Sequence, residues 1–356
     1  MSRKKWEARL WGDHGPVYGV FAKPLALLYG NAARVRAGLY KSGVVDSYKS
    51  SIKVVSVGNL TLGGSGKTPL VMELARSFME NGLKPAIITR GYGGRIKDGA
   101  VVVKADSDPA DMGDEPVMMA AMTPDVPVIK SPRRKDGAEM AETVYNADIV
   151  LLDDGFGHLG IGRDFDILVV DAARGFGNGE VVPYGPLREP LSQLKRADCV
   201  VVTGSEKESG ARLSNIKKIV ETRAPGMEVI TAVYKTVGLV KKGDDIPEST
   251  ETIAGEKVVA FSGIGNPLSF TDTLEKIGVD PVESIEWPDH HYYTDEDLAR
   301  VADAVSKHKA RYAVTTEKDL ARLAGKRPRG TEVVAPRINL EVDRLEWMID
   351  NILEKK

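Results

Sequence analysis

Cysteine is nearly absent. Of 356 residues only Cys199 carries a thiol, inside the apolar run Cys199-Val200-Val201-Val202. Neither a disulfide framework nor a thiolate metal cluster can be assembled, and a reducing compartment is expected. No CxxC or HExxH arrangement exists, and His14, His158 and His308 stand singly, so a zinc site is not expected. A cleavable leader is missing too: Arg3-Lys4-Lys5 runs into mixed residues and Asp13 instead of an apolar stretch, so export is not expected. No apolar run reaches the roughly 18 residues of a membrane span, because the weakly charged stretches 15–22 and 24–33 are interrupted by Lys23 and Pro24. There is no internal repeat, low-complexity tract or recognisable nucleic-acid reader, and nucleic-acid binding is not expected.

What is present suffices for two α/β domains with proper cores, at 42% hydrophobic and 28% charged residues. The net charge of −2 hides a polarity: residues 1–50 hold nine Lys and Arg against three Asp and Glu, leaving +6 there and −8 in the remainder. Within that basic segment Leu25, Leu28, Ala32, Val35 and Leu39 recur at helical spacing, with Arg34, Arg36 and Lys41 around them. Such a helix fits an anionic membrane interface. It also fits packing on the body of the protein, the commoner fate of an amphipathic helix and the one the pattern alone favours.

Apolar strand-like runs alternate with helical patterns at 52–57, 86–89, 101–104, 149–152, 167–170 and 199–203, which predicts a doubly wound, mostly parallel sheet. From 226 to 256 the pattern changes to two short strand-like pieces, 229–234 and 237–240, and a polar, turn-rich stretch, read as a linker. A second, smaller α/β domain is expected over 257–356, with a strand at 257–262, a helix over 295–309 and a strand at 312–316.

The sharpest chemical signal is Gly63-Gly64-Ser65-Gly66-Lys67-Thr68, after a strand and before the helical pattern 70–79. Glycines let backbone N–H groups face phosphates, Lys67 neutralises them, and the Thr68 hydroxyl suits Mg²⁺. Thr61 stands where the strict P-loop pattern has its first glycine. Downstream, Ile149–Leu152 ends in Asp153-Asp154, hard oxygen donors that with Thr68 can hold magnesium on a nucleoside triphosphate. Arg90, at another strand end, has the chemistry to stabilise charge on a transferring phosphoryl group. Two segments carry groups able to deprotonate an alcohol, Gly113-Asp114-Glu115-Pro116 and Pro288-Asp289-His290-His291. Other nucleotide chemistries fit less well. Partner-switching ATPases carry lysine where Leu62 stands, and guanine readers need a spacing that Thr316-Glu317-Lys318-Asp319 lacks.

Taken in order, the motifs resemble the tetraacyldisaccharide 4′-kinase family, which phosphorylates the lipid A precursor at the inner membrane of Gram-negative bacteria. The resemblance covers most of the chain. It rests on Val57-Gly58-Asn59-Leu60-Thr61 running into the glycine-rich loop and Pro69, where the family also lacks the first glycine. It continues through Arg90-Gly91-Tyr92-Gly93, Gly113-Asp114-Glu115-Pro116, Asp153-Asp154-Gly155-Phe156, Pro186-Leu187-Arg188-Glu189-Pro190, Pro288-Asp289-His290 and Thr316-Glu317-Lys318-Asp319. The family usually has glutamine where Gly157 precedes His158.

The resemblance implies a P-loop kinase core over 51–225 and a basic, membrane-facing segment over 1–50, reversing the preference for a core-packed helix. It implies that Gly63 to Thr68 bind ATP, that Thr68, Asp153 and Asp154 lie at Mg²⁺, and that Asp114 and His290 form a dyad activating a sugar hydroxyl, Asp114 as base. Arg90, Arg134, Arg188 and Glu189 would line the substrate cleft. The implied acceptor is a tetraacylated glucosamine disaccharide 1-phosphate, phosphorylated at the cytoplasmic face of the inner membrane to give lipid IVA.

Overall fold

A computed structural model describes residue 11 and residues 16–207, 210–241, 247–265, 267–289, 291–323 and 325–355. The chain runs through helix α1 (Pro16–Lys41), β1 (Lys53–Gly58), α2 (Lys67–Glu80), β2 (Pro85–Thr89), β3 (Val101–Val103), α3 (Pro109–Met112), α4 (Asp114–Met122), β4 (Val128–Lys130), α5 (Arg134–Tyr145), β5 (Ile149–Asp153), β6 (Phe165–Asp171) and β7 (Cys199–Thr203). It continues with α6 (Gly210–Arg223), β8 (Glu228–Val240), β9 (Val258–Ser262), α7 (Pro267–Lys276), β10 (Glu283–Glu286), α8 (Asp295–His308), β11 (Tyr312–Val314), α9 (Glu317–Arg322), β12 (Glu332–Val342) and α10 (Leu345–Glu354). The expected alternation is present, and the fold is α/β with mostly parallel strands. Two compact units emerge, one of residues 1–90, 131–234 and 340–356, the other of 91–130 and 235–339.

In the first unit the strands run β8-β7-β6-β1-β5-β2, every adjacent pair parallel. β2, β5 and β7 are buried at every position, and β1 and β6 at all but one, as expected of parallel strands covered on both faces. Cys199 sits fully buried in β7, where burial pushes its thiol pKa far up and leaves it unreactive. β1 is central: the chain leaves it for β2 on one side, returns to β5 beside it, and then crosses to β6 on the other side. Its C-terminal end is thus the topological switch point where open α/β sheets bind ligands. The C-terminal helix returns to this unit. The Lys53 ammonium donates to the carbonyls of Ile352, Leu353 and Lys355, each at 2.8 Å, closing the end of α10 with a cation.

The second unit has the parallel order β10-β9-β11-β12 and an antiparallel pair, β3 with β4. Its core gathers Val259, Phe261 and Ile285 from the strands with Leu298, Val301 and Val305 from α8. α8 starts with a capping box, Thr294 accepting from the Asp297 amide while the Asp297 carboxylate accepts from the Thr294 amide. Two differences from the sequence reading stand out. The pieces expected at 229–234 and 237–240 form one strand, whose first half pairs with β7, so the segment read as linker supplies sheet. Residues 91–130, which the linear pattern leaves in the core segment, group with 235–339.

Candidate active site

In the first unit the loop after β1 is shaped by its glycines. Gly66, just ahead of α2, has φ +79°, a left-handed conformation that L side chains rarely adopt. A Cβ placed there would lie 2.2 Å from the Tyr234 hydroxyl and 3.0 Å from Thr203 Cγ2. The Thr203 hydroxyl donates to the Ser65 carbonyl at 2.9 Å, so β7 holds the loop from behind. Burial raises the Tyr234 phenol to about 12, so it stays a neutral hydroxyl beside Thr203. The first turn of α2 contains no acid and no side chain caps it. Its amides are therefore presented to an anion.

Lys67 and Thr68 open α2 and face the end of β5, which is paired in register with β1 (Val57 with Asp153). The Thr68 hydroxyl is 3.5 Å from one Asp153 carboxylate oxygen, and the Thr89 hydroxyl donates to the other at 3.1 Å. No group of three or more His, Cys, Asp or Glu gathers among the described residues. Magnesium on a nucleotide does not need one, since it takes one or two protein oxygens and completes its shell with phosphate and water. A hydroxyl beside a carboxylate at the switch point fits that donor set.

Asp154 is held differently. Its backbone is left-handed, φ 52°, an unusual state for a residue with a side chain and one that clusters at functional sites. Arg188 grips its carboxylate with two parallel bonds, Nη1 to Oδ2 at 2.9 Å and Nη2 to Oδ1 at 2.8 Å, and Lys67 Nζ lies 3.6 Å from Oδ1. Burial alone would raise the acid's pKa, but the Arg188 bonds and the Lys67 charge outweigh it and hold the carboxyl well below the usual range. Arg188 reaches this point because residues 186–188 run along the strand exit: the Leu62 amide donates to the Pro186 carbonyl at 2.8 Å, and the Arg188 amide to that of Leu60. Its guanidinium also donates to Asn59.

Arg134, the first residue of α5, is 2% exposed and donates to the Ser131 carbonyl at 2.7 Å and the Asp153 carbonyl at 3.2 Å. Its Nε is buried without a hydrogen-bond partner. Burial lowers its pKa to about 10 against the pull of Asp153 and Asp154, so it remains a cation at neutral pH. Arg90 is exposed at the end of β2, and its charge is felt at both Arg134 and His158. Desolvation and then Arg134, Arg163, Arg36 and Arg90 drive His158 down to about 4, leaving it neutral near pH 7. The Glu189 carboxylate pairs with Arg196 at 2.8 Å. It also borders Gly157, where a Cβ would come within 3.2 Å of its oxygen, so a larger residue there would need Glu189 to give way.

The second unit carries Asp114 at the start of α4, 5% exposed. Its carboxylate accepts from Arg322 of α9, Nε to Oδ2 at 2.8 Å and Nη2 to the same oxygen. Glu115 beside it pairs with Lys318 at 3.3 Å. His290, the other half of the expected dyad, lies outside the described residues. Its neighbour His291 bonds Asp297 at 2.9 Å and stacks on Trp287. Lys67, Thr68, Asp153, Asp154 and Arg188 thus converge in one unit, while Asp114 stands with Arg322 in the other. Sequence reasoning missed Asn59, Thr89, Thr203, Tyr234 and Arg322. Asn59 stands inside the Val57–Thr61 motif, Thr89 directly precedes Arg90, and Arg322 lies one helical turn after Asp319 of the Thr316–Asp319 motif, whereas Thr203 and Tyr234 carried no such signal.

The sequence model of the family described as Tetraacyldisaccharide-1-P 4′-kinase matches residues 19–354. A curated relative from Desulfatibacillum aliphaticivorans, named tetraacyldisaccharide 4′-kinase, is 36% identical over 350 residues, 95% of this chain and 92% of its own. One of the same name from Bradyrhizobium sp. is 38% identical over 322 residues, 90% of this chain and 86% of its own. Among solved structures, the "apo" form of LpxK from Aquifex aeolicus in complex with ATP superimposes with a TM-score of 0.75 at 28% identity, covering 93% of this chain and 96% of that one.

Proposed function

The chain belongs to the tetraacyldisaccharide 4′-kinase family, and we propose how its residues share the work of moving the γ-phosphoryl group of ATP to the 4′-hydroxyl of tetraacyldisaccharide 1-phosphate, giving lipid IVA. It is an ATP-dependent kinase of lipid A biosynthesis. The observation that carries the residue assignment is the array at the end of β1 and β5, where Lys67 and Arg188 converge on Asp154 while Thr68 meets Asp153.

The amides of Gly63 to Gly66 and the first turn of α2 bind the phosphates, with Lys67 neutralising them. Thr68 and Asp153 would hold Mg²⁺, which when bound offsets phosphate charge, and Asp154 keeps Lys67 and Arg188 oriented. Arg90 and Arg134 supply positive charge for the transferring group, and Arg188 and Glu189 border the substrate. The acceptor oxygen forms its bond to phosphorus as the bond from the β,γ-bridging oxygen breaks. The hydroxyl proton passes to the Asp114 carboxylate with His290 as its partner, and ADP departs.

Location follows from chemistry. Along α1, Val20, Phe21, Leu25 and Leu28 are exposed, in the segment that carries the excess of Lys and Arg, and no helix among the described residues is long and apolar enough to cross a membrane. A helix lying in the anionic cytoplasmic leaflet of the Gram-negative inner membrane accounts for such a surface.

The test is transfer of label from [γ-³²P]ATP to the disaccharide lipid in mixed micelles with Mg²⁺. Labelled bis-phosphorylated product is expected. Asp114→Ala and His290→Ala should each lower turnover by about 10²–10⁴-fold; wild-type rates in both would remove the dyad, and failure to label the lipid at all would remove the acceptor assignment.

A further inference from the structure

We propose that Arg322 is a positioning residue for phosphoryl transfer, holding the Asp114 carboxylate ionised and in one orientation. The inference rests on Asp114 being the group that takes the acceptor's proton. The two side chains are 1% and 8% exposed, and Asp319, which shares the same guanidinium, is fully buried.

The guanidinium is fixed from more than one side. Nη1 donates to the Asp319 carboxylate at 2.9 Å and to the Gly263 carbonyl at 2.7 Å, while Nε and Nη2 meet Asp114. Asp319 is itself pinned, accepting from the Gly263 amide at 3.1 Å and the Thr316 hydroxyl at 2.7 Å, with Thr316 capping α9. Arg322 is thus pre-aimed at Asp114 by Asp319, Thr316 and the Gly263 backbone.

One cation stands between two buried carboxylates. That cation compensates the buried charge at Asp114, and a protonated Asp114 cannot act as a base. A purely structural explanation is weaker, because a buried ion pair stabilises little compared with apolar packing. Among the described residues, the charged and titratable groups near Asp114 and Arg322 include Asp319 on α9, Glu115 on Asp114's own helix with Lys318 opposite, Tyr292 and Tyr293 ahead of α8, and Asp108 and Asp111 of the α3 region with Arg95. Arg322 bonds the carboxylate twice.

The experiment measures kcat, KM and the pH–rate profile of Arg322→Met, Arg322→Lys, Asp114→Asn and the double variant Asp114→Asn/Arg322→Met, with melting temperatures alongside. In Arg322→Met the acid limb of kcat should move up by about one to three pH units, with partial recovery of rate at alkaline pH and KM for ATP within about twofold of wild type. Arg322→Lys keeps the charge and should keep the limb while lowering kcat. The double variant should be no slower than Asp114→Asn, since a residue acting through another adds nothing once that other is gone. In Arg322→Met a kcat reduced by one factor at every pH, or a double variant slower by the product of the single effects, overturns the proposal. If Arg322→Met does not fold, Arg322→Gln takes its place: an acid limb raised above the wild-type position supports the proposal and an unmoved one overturns it. Wild-type turnover in Asp114→Asn would instead strike the premise, and the inference would fall with it.

Discussion

Replacing Gly66 with alanine isolates what the phosphate-binding loop asks of its backbone. At φ +79° an alanine is strained by about 1–2 kcal/mol. Its Cβ also falls 2.2 Å from the Tyr234 hydroxyl, with the Thr203 methyl at 3.0 Å and hydroxyl at 3.1 Å. Forcing atoms into such space costs a further ~1–3 kcal/mol. Tyr234 cannot swing aside freely, being a ring on β8, and Thr203 is tied to the Ser65 carbonyl. The loop must therefore move, taking with it the amides that receive phosphate. If most of roughly 3 kcal/mol falls on the binding-competent loop, ATP affinity drops about 100-fold. Isothermal titration of ATP into the variant measures this, with thermal unfolding run in parallel to divide the cost between binding and stability. Tyr234→Phe removes the offending oxygen and leaves the backbone strain and the tight Thr203 contacts. In the Gly66→Ala background it should restore about tenfold in affinity, while alone it should be nearly neutral. Wild-type affinity and melting temperature in Gly66→Ala, or no recovery on adding Tyr234→Phe, would refute the reasoning.

Arg188→Met removes both bonds to Asp154 and should lower kcat/KM for ATP by tenfold or more, the worth of charge-assisted hydrogen bonds. Because the Asp154 carboxyl is held below its free value of 3.8, its contribution to stability is present above that pH and is lost as pH falls through the lower folded value. Acid unfolding of Arg188→Met should accordingly begin at higher pH than in wild type. His158, driven to about 4 from 6.5, should show an imidazole NMR titration near pH 4, and as pH falls from 6.5 toward 4 its resistance to protonation should progressively destabilise the fold. Phe21→Asp with Leu28→Asp, both at exposed positions of α1, should weaken co-sedimentation with anionic vesicles at least tenfold and leave turnover in detergent micelles unchanged.

The legible and illegible parts of this chain differ in range along the sequence. β5 and β7 can be read directly because parallel strands buried on both faces are nearly continuous apolar runs. The loop at 63–68 can be read because glycine, lysine and threonine act within six residues. Asp153 and Asp154 are legible as acids at a strand end, but not their division of labour, since the left-handed turn at Asp154 that delivers it to Arg188 leaves no mark in a residue that is not glycine. Arg322 meets Asp114 across 208 positions, and Tyr234 meets Gly66 across a similar gulf, and no local periodicity encodes either contact. The grouping of residues 91–130 with 235–339 is hidden for the same reason: α4 packs on α9, and Lys318 reaches Glu115 across 203 positions. Secondary structure follows from spacing between neighbours, whereas the groups that bond a buried carboxylate such as Asp114 are chosen by the fold. Arginine is the residue for that task because its charge persists at any physiological pH and its fork can serve two carboxylates at once. An arginine one helical turn beyond a buried aspartate in the first turn of a helix is therefore the pattern to seek when a sequence supplies a candidate base but no partner for it.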